Sequence, residues 1–279
     1  MNPMRSLLVH IDGSARVAAR LAVARDLAAR HQATLTALFA TTPAPETLPF
    51  AYAASAVSVN LLQELHTQWL ARAKAAYEQV VASGAGPVAW AELGGEPLVQ
   101  GFVEQAWCAD LLVLGQADPA EPVGQELPAG FVEAVLVESG KPALIVPYAG
   151  SFPAVGSNVL VAWKASRESA RALAAAVPLL RGAAQVHVAE WRAKTPPRAT
   201  GEALDVERYL RLHGVQPTMH RYHDEPAQVG EMLLSMAADV GADLLVMGCY
   251  GHSRARELVL GGVTRTVLRS MTIPVLMSH

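Results

Sequence analysis

The sequence predicts an α/β protein built from two tandem copies of a five-stranded parallel-sheet domain. Short apolar segments, each long enough for one buried strand, alternate along the chain with segments of helical periodicity. The chain also repeats itself, and each copy ends with a proline followed by an apolar strand. Strands that are apolar throughout and separated by crossover helices are typical of a parallel sheet with both faces covered.

The repeat predicts the domain organisation. Residues 7–14 align with residues 159–166, and residues 109–115 return almost unchanged as residues 242–248. The duplicated unit is about 140 residues long, so we predict one domain over residues 1–150 and a second over residues 151–279. Proline, glycine and serine cluster at residues 148–157, which indicates the joint between the two domains.

The elements of the first copy follow from the same patterns. Apolar runs bounded by turn residues predict strands, and longer amphipathic segments predict helices. The predicted strands are residues 7–11, 33–40, 88–93, 111–114 and 143–146, and the predicted helices are residues 15–31, 61–83, 98–108 and 131–139. A connection rich in proline and alanine, residues 41–60, precedes the second helix.

The second copy is shorter in its middle. A helix is predicted at about residues 201–213, followed by strands at residues 218–223 and 244–247. A helix at residues 263–270 and a strand at residues 274–277 complete it. Trp163 and Trp191 end the first two strands of this copy, where a tryptophan can stack on a base but more often packs in the core.

Composition restricts the partners. The net charge is −3 and no run of Lys or Arg forms a basic stripe, so we expect no nucleic acid and instead a small molecule or another protein. The apolar run at residues 7–11 is too short for a signal peptide or a membrane span, so we expect a cytoplasmic protein without a membrane partner. Cys108 and Cys249 lack paired spacing, and we expect both to be small apolar side chains near strand ends.

A glycine-rich loop follows the fourth strand of the second copy. It comprises Gly248, Gly251, nine further residues, Gly261 and Gly262, and it leads through Val263 and Thr264 into a helix. Glycine allows close approach of the backbone, and the N–H groups of a helix N-terminus favour an anion. In a parallel α/β sheet, ligands bind beyond the carboxyl ends of the strands at the switch point, where this loop lies. The pattern therefore predicts a phosphate site.

This spacing, together with the strand order and the proline before the last strand, resembles the nucleotide-binding motif of the universal stress protein family. Both halves of the chain are similar to that family, as in its tandem members. The resemblance implies a Rossmann-like domain of the adenine nucleotide alpha hydrolase type that binds ATP with its Mg²⁺. The residues that it assigns to the adenine nucleotide are Ala162, Trp163, Lys164, Gly248, Gly251, His252, Ser253, Gly261, Gly262, Val263 and Thr264.

Two positions of the second copy depart from the family pattern. Lys164 stands where the family has a nucleoside-contacting Asp, so an acceptor has become a cation with donors only. This lysine either turns toward phosphate or is a solvated side chain that weakens adenosine recognition. Gly262 stands where Ser or Thr is usual, which removes one hydroxyl contact but keeps the backbone N–H.

The first copy departs in the opposite direction. It keeps Asp12, but Asp118 replaces the second glycine, and Glu121 and Glu126 add negative charge. Repulsion of several kcal/mol is expected in a poorly solvated site. The first copy is therefore predicted not to bind ATP; it is either a structural domain or a pocket for an uncharged or cationic ligand.

Histidines and carboxylates give no further site from spacing alone. His187, His213, His220, His223 and His252 fall in the second copy, but His220 and His223 point to opposite faces of one strand, so we assign no metal site to protein side chains.

No nucleophile motif occurs, so we predict no catalytic residues and at most slow ATP hydrolysis. An enzyme would need a base, for which only Glu190 and Asp224 stand out.

Two hypotheses remain from the sequence. In the first, the second domain binds ATP or another adenine nucleotide, and the protein is a ligand-controlled interaction module in stress adaptation with an unidentified protein partner. In the second, the protein binds no ATP and is a scaffold or sensor for another small molecule or protein. In the first, the two copies are expected to form an intramolecular pseudo-dimer through their final strands, and two chains can pair again as a homodimer.

Overall fold

The computed structural model describes residues 4–41, 56–84, 86–94, 97–119, 127–191, 204–222, 228–249 and 262–279. The chain divides into two compact units, unit 1 (Met1–Lys141) and unit 2 (Pro142–His279). The predicted boundary between residues 150 and 151 marks the end of a sequence copy rather than of a compact unit, and it stays a prediction.

Unit 1 contains four parallel strands in the order β3-β2-β1-β4. Its elements are β1 (Ser6–Ile11), α1 (Val17–His31), β2 (Thr34–Phe39), α2 (Ala56–Ala82), β3 (Val88–Glu92), α3 (Leu98–Ala106), β4 (Leu111–Gly115) and α4 (Phe131–Glu138). Helix α1 packs against α2, and α3 packs against α4, as expected when right-handed crossovers cover both faces of a sheet. The strands β1 and β4 form the centre of the core.

Unit 2 contains the five predicted parallel strands, in the order β10-β9-β6-β7-β8. Its elements are β5 (Ala143–Val146), β6 (Asn158–Lys164), α5 (Arg167–Leu180), β7 (Gln185–Trp191), α6 (Val206–Leu212), β8 (Thr218–Tyr222), α7 (Val229–Asp239), β9 (Leu244–Gly248), α8 (Gly262–Ser270) and β10 (Val275–Ser278). Strand β5 pairs antiparallel with β10, so the final strands of the two sequence copies pair inside unit 2.

Three helix starts differ from the sequence prediction by two residues or more. Helix α1 begins at Val17 instead of residue 15 because Ser14 is held by Asp12, whose Oδ1 accepts from the Ser14 amide and hydroxyl. Helix α6 begins at Val206 because Asp205 caps it, accepting from the Arg208 amide. Helix α2 begins at Ala56, within the segment predicted as a connection, which contains no helix-breaking residue after that point.

The two cysteines lie in different environments. Cys249 is buried at the end of β9, as expected for a small apolar side chain. Cys108 is exposed in the turn before β4, so the prediction is wrong for that residue. No helix in the described ranges is both long and apolar enough to cross a membrane.

One carboxylate in each unit ties together the starts of two neighbouring strands, β1 and β4 in unit 1 and β6 and β9 in unit 2. Asp110 accepts hydrogen bonds from the amides of Arg5 and Ser6, at 2.7 and 3.0 Å. Asp243 accepts from the amides of Gly156, Ser157 and Asn158, at 2.8, 3.0 and 3.2 Å. These aspartates are the polar residues of the repeated segment, so the repeat preserves an interaction that aligns two neighbouring strands.

We expect Asp243→Ala to lower the free energy of unfolding of unit 2 by about 2 kcal/mol, because backbone donors lose a charged acceptor. Urea denaturation followed by NMR signals of unit 2 measures the loss. Asp239→Ala is the matched control, since Asp239 is exposed at the end of α7. An equal effect of the two variants would contradict this role of Asp243.

Candidate functional site

The candidate site lies where β6 and β9 part in unit 2. The two strands are parallel neighbours from Val159 opposite Leu244 to Ala162 opposite Met247. The ladder between β6 and β7 continues two residues further, to Lys164 opposite Trp191. Strand β7 follows on one side of β6 and β10 follows on the far side of β9, so this is the switch point at which α/β sheets form a ligand crevice.

Three predicted site residues end strand β6. Ala162 and Trp163 are half-buried and Lys164 is exposed. Because successive side chains alternate in a strand, Ala162 and Lys164 lie on one face of the sheet and Trp163 lies on the other. The pairing of β6 with β9 ends at Ala162. Main-chain groups of β6 that follow Ala162 on the side of β9 therefore lie at the crevice.

Gly248 ends β9 and has no room for a side chain. A Cβ atom there would lie 2.5 Å from the Ser169 amide nitrogen and 2.6 Å from the Glu168 carbonyl carbon, both in the first turn of α5. The next residue, Cys249, donates its amide to the Ser278 carbonyl at 3.0 Å. Gly248 therefore permits close packing of α5 on the end of the strand, beside the crevice.

The thiol of Cys249 is not a nucleophile at neutral pH. Burial, followed by the negative charge of Glu168, raises the pKa of Cys249 to about 12. The thiolate is the reactive form of cysteine. The side chain therefore packs as an apolar group.

Glu168 is a buried acid beside this site that the sequence analysis missed. It is 4% exposed and lies in the first turn of α5, after the cap residue Ser166, which accepts from the Ser169 amide. Burial acts to raise the pKa of Glu168, but hydrogen bonds, that from Arg167 first, outweigh burial and lower it. The sequence does carry a signal for it, a serine cap with an acid in the first turn that follows.

The start of α8 provides the remaining described residues. Gly262 is exposed, and a Cβ atom added to it would meet no other atom within 4 Å. Val263 is half-buried and Thr264 is buried. Gly251, His252, Ser253 and Gly261 lie outside the described residues, as do His223 and Asp224.

Glu190, one of the two carboxylates considered as a base, is already held in an ion pair. Glu190 is buried, and its Oε2 lies 3.2 Å from Nε of Arg221 on the neighbouring strand. Arg221 also pairs with Glu207 of α6. Glu190 thus belongs to an ion-pair network between β7, β8 and α6, which is a structural role.

In unit 1, the position that aligns with the candidate crevice, at the ends of β1 and β4, is filled by the protein's own side chains. Asp12 follows β1 and is buried, and its Oδ2 lies 2.8 Å from Nη2 of Arg20, which is 4% exposed. The guanidinium reaches the end of β4, where a Cβ atom on Gly115 would lie 2.0 Å from its Nη1. Arg20 of α1 therefore supplies a cation to Asp12 from within the chain, which favours the structural alternative for this domain over a pocket for a cationic ligand.

The ion pair between Asp12 and Arg20 offers a different explanation for the predicted loss of phosphate binding in unit 1. The loss of phosphate binding predicted from the sequence rested on the negative charges of Asp118, Glu121 and Glu126. Asp118 is half-buried, and the two glutamates lie outside the described residues. In unit 2, Ala172 stands where Arg20 stands in unit 1, so the filling side chain is confined to unit 1.

Burial and the neighbouring charges separate the ionisation of His10 and Asp12. Burial lowers the pKa of His10 to about 4, although the charge of Asp12 acts to raise it. Burial acts to raise the pKa of Asp12, but Arg20 and His10 outweigh burial and lower it to about 2. At neutral pH the cluster therefore holds an ionised Asp12, a cationic Arg20 and an uncharged His10, whose Nε2 bonds the Ala40 carbonyl.

Comparisons with known proteins agree with this architecture. Residues 157–279 match the model of the Universal stress protein family. The universal stress protein family is therefore the family of residues 157–279, which make up most of unit 2. The universal stress protein Slr1230 of Synechocystis is 29% identical over 171 residues, which are 60% of this chain and 57% of that relative, so the chain spans little more than half of its length. The predicted family is confirmed.

Solved structures extend the fold to both units. A universal stress protein from Archaeoglobus fulgidus covers 98% of this chain, and this chain covers 95% of it, with a TM-score of 0.68 at 17% identity. A universal stress protein in complex with cAMP is 23% identical over 53% of this chain and 100% of that chain, with a TM-score of 0.36. The predicted α/β fold is confirmed by the first of these.

We expect Gly248→Ala to destabilise unit 2 by about 1 to 3 kcal/mol, because the new methyl group meets the backbone of α5 rather than a mobile side chain. The control is Gly262→Ala, for which the methyl group enters open space. Thermal unfolding of both variants tests this difference. Equal melting temperatures for the two would show that α5 does not pack on the end of β9 in this way.

We expect unit 1 to lose stability as the pH falls from 6.5 to 4. The pKa of His10 in the folded chain lies below its ordinary value, so the unfolded state binds more protons over this range. The loss at pH 4 is about 3 kcal/mol. His10→Ala, the residue at the aligned position of the second copy, should flatten this dependence in urea denaturation followed by NMR signals of unit 1. Parallel pH profiles of stability for the unmodified protein and His10→Ala would contradict this role of His10.

Proposed function

We propose that unit 2 binds an adenine nucleotide in the crevice between the carboxyl ends of β6 and β9. The observation that carries this proposal is the contrast between two duplicated sites. At the end of β1, His10, Ile11 and Asp12 are all buried, whereas β6 ends in half-buried and exposed residues. One crevice is closed by Arg20, and the aligned one is left accessible.

The polar groups around this crevice suit a nucleotide. Ala162 is the last residue of β6 in the ladder with β9 and Trp163 lies beyond it, and in this proposal their main-chain groups contact the edge of a base. The N-terminus of α8, at Gly262 and Val263, offers backbone N–H groups to a phosphate. The glycines of the family motif, Gly251 and Gly261, let the loop backbone approach the same anion.

The nucleotide would carry its own Mg²⁺. Among the described residues no three His, Cys, Asp or Glu side chains are grouped to hold a metal ion. Bound Mg²⁺ commonly keeps several waters and uses the phosphate oxygens of its nucleotide. His252 and Ser253 add donors to the phosphates in this arrangement, and Lys164 adds a positive charge at the mouth of the crevice.

The site supports regulation by binding rather than catalysis. Cys249 is protonated at neutral pH and Glu190 is held by Arg221, so neither is free to act on a substrate. We propose a cytoplasmic ligand-controlled interaction module for stress adaptation, with at most slow ATP hydrolysis. The protein partner, the pseudo-dimer of the two copies and a homodimer of chains belong to the same proposal, and the antiparallel pairing of β5 with β10 supports the pseudo-dimer.

Lys164 favours a second candidate function. An exposed cation ends β6 where an acceptor would recognise the hydroxyl or amino groups of a nucleoside. A member of the family with this substitution can serve as a sensor or scaffold for another anionic small molecule or for a protein, without ATP.

Titration of the full chain with ATP·Mg, ADP, AMP and cAMP by calorimetry tests the first candidate. We expect saturable binding with one site per chain, because Arg20 closes the other crevice. Gly251→Asp, which imitates the first copy, should weaken ATP binding at least 10-fold through repulsion of the phosphates.

Gly94→Asp is the matched control for added charge, because Gly94 is exposed in unit 1 with open space around it. It should leave binding unchanged. Absence of saturable binding by the unmodified protein at millimolar nucleotide would reject the first candidate and leave the second.

A further inference from the structure

We propose that His187 and His220 of unit 2 form a two-imidazole site for a divalent late transition-metal ion, with Zn²⁺ as the probe. The two histidines lie on β7 and β8, not on the two strands that line the proposed nucleotide crevice. The proposal is independent of nucleotide binding.

The strand register brings the two side chains together. His187 pairs with Thr218, and Ala189 pairs with His220, so the histidines are diagonal neighbours on one face of a parallel ladder. By sequence spacing, His220 and His223 lie on opposite faces of one predicted strand. The relevant partner is on the adjacent strand, 33 residues earlier in the chain.

The two rings present nitrogens to each other. Nδ1 of His187 lies 3.1 Å from Nε2 of His220, and the ring planes are inclined by 35°. The other nitrogen of His187, Nε2, lies 3.4 Å from Oε1 of Gln185. When Nε2 donates its proton to that amide oxygen, Nδ1 carries the lone pair and faces His220. A ligating histidine is commonly oriented in this way by an acceptor on its other nitrogen.

A metal ion can take the place of the shared proton. Two nitrogens bound to one tetrahedral Zn²⁺ lie about 3.3 Å apart, so the two nitrogens need to separate by only about 0.2 Å, and the rings tilt so that both lone pairs point at the ion. His220 then carries its proton on Nδ1 instead of Nε2, and the neutral pair binds the ion without net loss of a proton. Both rings are half-buried near the edge strand β8, which leaves one side open to solvent.

The chemistry of the pair selects the class of ion. Neutral imidazole suits Zn²⁺, Ni²⁺ and Cu²⁺, whereas Mg²⁺ prefers oxygen ligands. Burial, and then repulsion from His220, lowers the pKa of His187, which favours the neutral form that ligates a metal ion. No third His, Cys, Asp or Glu joins the pair within the described ranges, so water completes the coordination.

Calorimetric titration of the full chain, without a histidine tag, with Zn²⁺ tests the proposal. We expect one ion per chain, and we expect His187→Gln and His220→Gln each to weaken binding at least 10-fold. His31→Gln is the control, because His31 ends α1 of unit 1. It should leave the affinity unchanged.

A second measurement does not depend on the folding of a variant. Substoichiometric Cu²⁺ should broaden the ring proton signals of His187 and His220 in the NMR spectrum of the unmodified protein before those of His31. The proposal is overturned if millimolar Zn²⁺ does not bind, if either pair variant keeps the affinity, or if Cu²⁺ broadens other histidines first. Nucleotide binding would be unaffected by these outcomes, so the two proposals fail separately.

Discussion

The site depends on one constraint, the alignment of two neighbouring strands in each unit, β1 with β4 and β6 with β9. Asp110 and Asp243 accept backbone N–H groups at the starts of β1 and β6, and thereby hold them level with the starts of β4 and β9. A shift by one residue would turn every side chain of the strand to the other face. Because the two strands begin level, the point at which their carboxyl ends separate is also defined. The crevice lies at that point.

Duplication produced this crevice twice, and side chains then gave the copies different properties. In unit 1, an ion pair between Asp12 and Arg20 is buried at the crevice with an uncharged His10. Removing one member of such a pair is costly because the other charge is left uncompensated. In unit 2, Lys164 and Ala172 replace the pair, so the end of β6 is accessible. The same backbone therefore supports a closed core in one unit and a candidate binding site in the other.

Predictions from the sequence were good where one local pattern decides the structure. The strand β9 and the helix α8 lie within one residue of their predicted bounds, because an apolar run and a helical stripe are each read from neighbouring residues. The start of α1 was misplaced because Asp12 holds Ser14 through its side chain. Arg20 was missed for a related reason, since helical periodicity does not reveal which residue its side chain reaches.

By itself the sequence determined the alternation of strands and helices, the duplication and the family motif, since each is carried by residues close together in the chain or by the comparison of two segments. Only the tertiary structure decided which side chains meet. Arg20 reaches the end of β4, Glu168 lies against Gly248 at the end of β9, and His187 faces His220. Each contact joins separate elements whose distance is set by strand order and register, and these arise from packing of the whole unit.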